Sequence, residues 1–92
     1  MKLIATEAAV ALFKKEWDFV EGDQIRLYPR YSGGGADPFS VGVAKMKPRY
    51  PQLTCTADGS FFFIERDDVW LLDGKETLRI DARDGEMVYD KE

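Results

Sequence analysis

The residues of this chain that could do chemistry are few. There is one cysteine, Cys55, and no histidine. Without imidazole the chain lacks the commonest zinc and haem ligand and the usual general base at neutral pH. Ser-His-Asp and Cys-His catalysis are excluded outright. Cys55 sits in Leu53-Thr54-Cys55-Thr56, an alternating stretch that reads as a strand. A reactive thiol is normally flanked by cations or placed at a helix N-terminus. Cys55 is therefore expected to be a small buried hydrophobe. Metal ligation through it would require a second copy across a dimer axis, with carboxylates completing the site.

Carboxylates crowd the C-terminal third: Glu65, Asp67, Asp68, Asp81, Asp84, Glu86 and Asp90. Their spacing fails the calcium-loop pattern of alternate oxygen ligands before a turn glycine. Asp73 and Asp84 each precede a glycine and are better explained as turn residues. No pair is selected for acid–base work. The run Ser32-Gly33-Gly34-Gly35-Ala36-Asp37-Pro38 invites a phosphate-cradle reading, because successive glycine N–H groups can bind anions. No Gly-Lys-Ser/Thr follows it, a strand rather than a helix comes next, and Asp37 would repel an anion. The loop residues Tyr31, Ser32, Gly33, Gly34, Gly35 and Asp37 are instead the candidate interaction loop, or a lid over a small-molecule pocket. Arg26, Arg30, Lys45, Lys47 and Arg49, interleaved with Tyr28 and Tyr50, have the composition of a single-strand-binding face. A net charge of −4 argues against nucleic-acid binding and for a solvated strand face.

The elements that must position these groups follow from periodicity. Lys2–Ala5 reads as a short strand. Thr6 is an N-cap with Glu7 in the first turn. Ala9, Leu12, Phe13, Trp17 and Val20 then recur at helical spacing, predicting one amphipathic helix that ends between Asp18 and Glu21. After Gly22 the period becomes two: Ile25, Leu27 and Tyr31 face one way, Arg26, Tyr28 and Arg30 the other. Pro29 places that strand at an edge or at a bulge. Phe39, Val41 and Val43 mark the next strand, and Leu53 and Cys55 another. Asp58-Gly59 is a two-residue hairpin signal. The run Phe61-Phe62-Phe63-Ile64 suggests a strand covered on both faces. A short helical turn over Glu65–Leu72 packs Val69, Trp70, Leu71 and Leu72 down onto the sheet. Leu78 and Ile80 mark a strand, and Asp84-Gly85 turns into a last one with Met87 and Tyr89.

Ninety-two residues make one domain, 1–92. The fold class is α+β: an N-terminal amphipathic helix and a short second helix packed on a mostly antiparallel, partly rolled β-sheet. No apolar run approaches a membrane span, and Met1–Glu7 is not a signal peptide, so a cytoplasmic location is expected. If Phe61–Phe63 point to both sides of the sheet, the helix can cover one side and a second subunit is a candidate for the other, making a homodimer.

This ordering resembles the HesB/IscA-like family of A-type iron–sulfur assembly proteins over nearly the whole chain. Ile4-Ala5-Thr6-Glu7-Ala8-Ala9 is similar to that family's opening strand and helix. Arg26-Leu27 through Tyr31-Ser32-Gly33-Gly34-Gly35 resembles its second strand and following loop. Asp68-Val69-Trp70-Leu71-Leu72-Asp73-Gly74 with Leu78-Arg79-Ile80-Asp81 resembles its short helix, Leu-Asp-Gly turn and next strand. Cluster-carrying members use three cysteines, one in the glycine loop and two in a Cys-Gly-Cys tail. Here the loop position is glycine, about Gly34, the sequence closes on Tyr89-Asp90-Lys91-Glu92, and Cys55 matches none of the three. The resemblance is to the cysteine-less HesB/YadR/YfhF-type branch. It implies a bacterial, non-enzymatic domain with no resident metal or cofactor, acting on a protein partner such as an iron–sulfur assembly component. The competing expectations are an iron or cluster carrier through Cys55, and a small-molecule binder.

Overall fold

Thr6 opens the first helix as its chemistry requires. Its backbone is extended, and its hydroxyl accepts the Ala9 N–H (3.1 Å). The same hydroxyl donates to Asp81 (2.8 Å), tying the helix start to a strand 75 residues away. In the computed structural model, which describes residues 1–33, 35 and 38–92, strand β1 (Lys2–Ala5) leads into helix α1 (Glu7–Glu16). Strands β2 (Gln24–Tyr31), β3 (Phe39–Lys45), β4 (Pro51–Ala57) and β5 (Ser60–Glu65) follow. A 3₁₀ helix (Arg66–Leu72) and strands β6 (Thr77–Arg83) and β7 (Glu86–Lys91) complete the chain.

The expected rolled sheet resolves into two. One has the order β1-β6-β7, the other β3-β2-β5-β4, and β1 runs beside β4 where they meet. Most pairs are antiparallel, but β1–β6 and β2–β5 are parallel. Asp58-Gly59 and Asp84-Gly85 make the two-residue hairpins. All four residues have positive φ (49° and 81°; 54° and 77°), the I′ geometry that matches strand twist.

Helix α1 ends earlier than its apolar spacing predicts. Asp18, at φ 57°, reverses the chain directly after Trp17. Phe19 then folds back, and its ring stacks on Phe13 (centroids 5.2 Å apart). Val20 is thereby left exposed instead of continuing the helix face, and its N–H donates to the Asp23 carboxylate.

The core lies between α1 and the two sheets. Val10 and Phe13 from the helix meet Ile25, Leu27, Phe62, Ile64, Leu78 and Ile80 from the strands. At ~1.5–3 kcal/mol for each large apolar side chain buried, this cluster is the main source of stability. Strand β5 is covered on both faces, as its unbroken apolar run predicts: Phe62, Phe63 and Ile64 are all inaccessible. Phe63 is covered within the single chain, so it supplies no reason for a second subunit.

Candidate interaction surface

The surface is built where β5 leaves β2. Strand β5 pairs with β2 only from Gln24 to Arg26, and the 3₁₀ helix that continues β5 lies against β2 beyond that point. In the β2–β3 ladder Met46 donates to Gln24 and Ser32 donates to Pro38. In this register the even-numbered residues of both strands exchange hydrogen bonds, and the odd-numbered ones direct their N–H and C=O groups away from the pair. Pro29 is odd, so the donor it lacks would have faced the side that β5 vacates. The strand is thus locally an edge there, which is where proline is tolerated.

Two side-chain locks hold the 3₁₀ helix in place. Asp68 receives a 2.6 Å charge-assisted bond from Arg26, with the side chains 14% and 30% exposed. The Arg26 ring contact is Tyr28, whose own ring crosses β3 at Gly42, where a Cβ would stand 2.4 Å from it. Before the helix, Glu65 accepts the N–H groups of Arg49 (2.8 Å) and Tyr50 (2.7 Å). Desolvation pushes the Glu65 carboxyl up, but these two donors, with Arg26 and Arg49 nearby, hold it below its ordinary value. Arg26, Lys47, Arg49, Tyr50, Glu65 and Asp68 contribute to the wall of a cavity of about 340 Å³. The expected basic cluster is therefore real for Arg26, Lys47, Arg49 and Tyr50, but it is interleaved with carboxylates. Arg30 and Lys45 stand elsewhere, Lys45 on Asp23 (3.2 Å).

The other side of the 3₁₀ helix carries an aromatic cluster. Tyr31 and Phe39 face each other across β2 and β3 and meet edge to face, with centroids 5.7 Å apart. Phe39 meets Trp70 in the same way at 5.0 Å. Tyr31 does share a face with Ile25 and Leu27, but the hairpin outruns the core and leaves it 70% exposed. Trp70 corrects the expectation that it packs down, being 52% exposed. A 3₁₀ helix repeats every three residues, so Asp67, Trp70 and Asp73 share the outward row. Reading that segment with period three would have found Trp70. Phe39 was legible only as a strand residue.

Of the candidate loop, Ser32 closes the base: its N–H and hydroxyl both donate to the Pro38 carbonyl (2.7 and 3.0 Å). Gly33 and Gly35 have φ near 88° and 86°, a conformation that favours glycine. Gly34 and Asp37 lie outside the described residues. Three of the remaining carboxylates have structural places. Asp81 is lowered by the Thr6 hydroxyl and the Ala82 N–H, Asp90 pairs with Arg83, and Asp84 forms its turn.

No family model matches this chain. A curated protein of Bacillus subtilis (strain 168), "Pyruvate dehydrogenase inhibitor", is 40% identical over 80 residues, covering 85% of this chain and 84% of that protein. The crystal structure of Escherichia coli SufA, involved in biosynthesis of iron–sulfur clusters, matches 98% of this chain and 80% of its own with a TM-score of 0.65 at 17% identity. The chain belongs to the HesB/IscA-like family.

As a HesB/IscA-like protein it does not fit an iron–sulfur cluster. Cluster iron is held by thiolates. The one thiol here, Cys55, is part-buried in β4 and packs against the apolar core. Among the described residues no three His, Cys, Asp or Glu side chains stand together as metal ligands. Among the described residues no helix is long and apolar enough to cross a membrane.

Proposed function

We propose that this HesB/IscA-like chain is a non-enzymatic protein that docks on a pyruvate dehydrogenase and restrains it. The observation that carries the docking is the edge-to-face row Tyr31–Phe39–Trp70, in which Tyr31 and Trp70 are exposed and Phe39 is half-buried between them. Aromatic side chains are rigid, lose little entropy on binding and dominate interface energetics, and leaving Tyr31 and Trp70 open to water costs solvation that a partner recovers. The Arg26–Asp68 bond fixes the helix that presents Trp70, so the row is organised before binding. The target is taken from the Bacillus subtilis relative, with which this chain is collinear over most of both lengths.

The test is a titration of purified chain into pyruvate dehydrogenase complex of the source organism, following NADH formation. Dose-dependent inhibition is expected. Trp70→Ala should raise the half-inhibitory concentration about tenfold or more, since a central Trp contributes ~2 kcal/mol to an interface. Iron–sulfur assembly proteins form the comparison arm. Binding to those alone, with no effect on pyruvate dehydrogenase, would replace the target and keep the docking. An inert Trp70→Ala substitution would remove the surface.

A further inference from the structure

We propose that the free edge of β3 is the recognition groove of this surface, and that it takes an extended segment of the partner as an added strand, with an acidic residue of that segment on Lys91. The inference rests on the protein-docking reading above and names the chemistry it would recognise.

Strand β3 ends its sheet, with β2 on one side and, among the described residues, no strand on the other. The ladder parity derived above sends the N–H and C=O groups of Phe39, Val41 and Val43 to that open side. None of these groups has a backbone partner there among the described residues. Proteins usually blunt such edges with charge, proline, a bulge or brevity. The other edges are blunted. β1 has four residues, β4 carries Pro51 and a register shift, and β7 carries Glu86, Asp90 and Lys91. β3 spans seven residues in continuous register, with a single charge at its far end.

A cavity of about 250 Å³ borders this edge, lined by Phe39, Ser40, Val41, Tyr89 and Lys91. Its lining mixes apolar residues, Phe39 and Val41, with Ser40, Tyr89 and Lys91, and Lys91 makes no ion pair among the described residues. Phe39 belongs both to this groove and to the aromatic row, so the two surfaces are continuous. Strand addition supplies main-chain hydrogen bonds, and alternate side chains fill the groove. The segment that fits carries apolar residues towards Phe39, Val41 and Tyr89 and a carboxylate towards Lys91. A second copy of β3 fits less well. Antiparallel pairing about Gly42 brings Lys45 of that copy, already committed to its own Asp23, to the Phe39 end and leaves Lys91 without a carboxylate.

The test is hydrogen exchange on the chain alone and mixed with pyruvate dehydrogenase, with size-exclusion light scattering on each. Slowed exchange over Phe39–Lys45 only in the mixture supports the added strand. Val41→Pro deletes a donor that faces outward while sparing every bond to β2, and should weaken binding tenfold or more. Lys91→Glu leaves the edge intact and should weaken binding several-fold, even where Val41→Pro does not fold. Binding with protection confined to Tyr31 and the Trp70 helix overturns the strand and keeps the docking reading. No binding at all overturns both. A β3-protected dimer of the free chain overturns the hetero-partner.

Discussion

Replacing Asp68 with alanine tests whether one ion pair organises the surface. Asp68 is 14% exposed and Arg26 30%, at 2.6 Å. An exposed pair is worth ~0–1 kcal/mol, whereas removing one partner of a buried pair costs ~3–5 kcal/mol, because the remaining charge is left uncompensated. This pair lies between those limits. The Arg26 Nε, already buried without an acceptor among the described residues, makes the abandoned guanidinium harder to accommodate. A loss of about 2 kcal/mol follows, and for a domain of this size ~1 kcal/mol corresponds to roughly 4–8 °C in Tm. Asp68→Ala should therefore melt about 8–16 °C below the parent in thermal unfolding followed by circular dichroism. Arg26→Met should offset part of that loss in the double variant, since it removes the stranded charge. In the inhibition titration Asp68→Ala should resemble Trp70→Ala, because the helix that carries Trp70 is no longer fixed. A Tm within 2 °C or so of the parent, or strictly additive single losses, would refute the reasoning.

Thr6→Ala removes the helix cap and the bond to Asp81 together, and should cost about 1–2 kcal/mol in urea unfolding with little change in inhibition. Trp70→Ala, by contrast, should lower stability by only about 1 kcal/mol, the worth of its edge contact with Phe39, while losing most of the inhibition. The acid limb of stability has a defined sign. Glu65, Asp23 and Asp81 are all held below their ordinary values of 4.5, 3.8 and 3.8, so in acid the unfolded chain takes up protons first. Their contribution is complete above about pH 4.5 and is lost as pH falls through the lowered folded values. Urea midpoints at pH 7, 5, 4 and 3 should be similar for the first two and fall across the last two.

The parts of the fold that were legible in the sequence are those whose cause is local. Thr6 caps because its hydroxyl reaches a neighbouring N–H, and Asp58-Gly59 and Asp84-Gly85 turn because both residues of each pair accept positive φ. The Phe61–Ile64 run declares a strand buried on both faces by composition alone. The parallel pairs β1–β6 and β2–β5 leave no such mark, because nothing in a strand's period names a partner many residues away. The helix end was missed because Phe19 and Val20 look alike as apolar residues. The left-handed Asp18 between them and the helix sends only Phe19 inward.

The interaction surface was half legible for the same reason. The loop and Tyr31 carry a compositional signal, whereas Trp70 and Phe39 become surface residues only through tertiary placement. Trp70 turns outward because its helix has three residues per turn, and that tighter helix can lie where it does because β5 abandons β2 beyond Arg26. Pro29 fits this arrangement, since a donor at that position would have lost its strand partner there. The β2–β3 hairpin and the 3₁₀ helix bring Tyr31, Phe39 and Trp70 into edge-to-face contact, with Tyr31 and Trp70 open to water. On the proposed docking reading, recognition at this end of the molecule draws its specificity from the edge of β3 and the charge of Lys91.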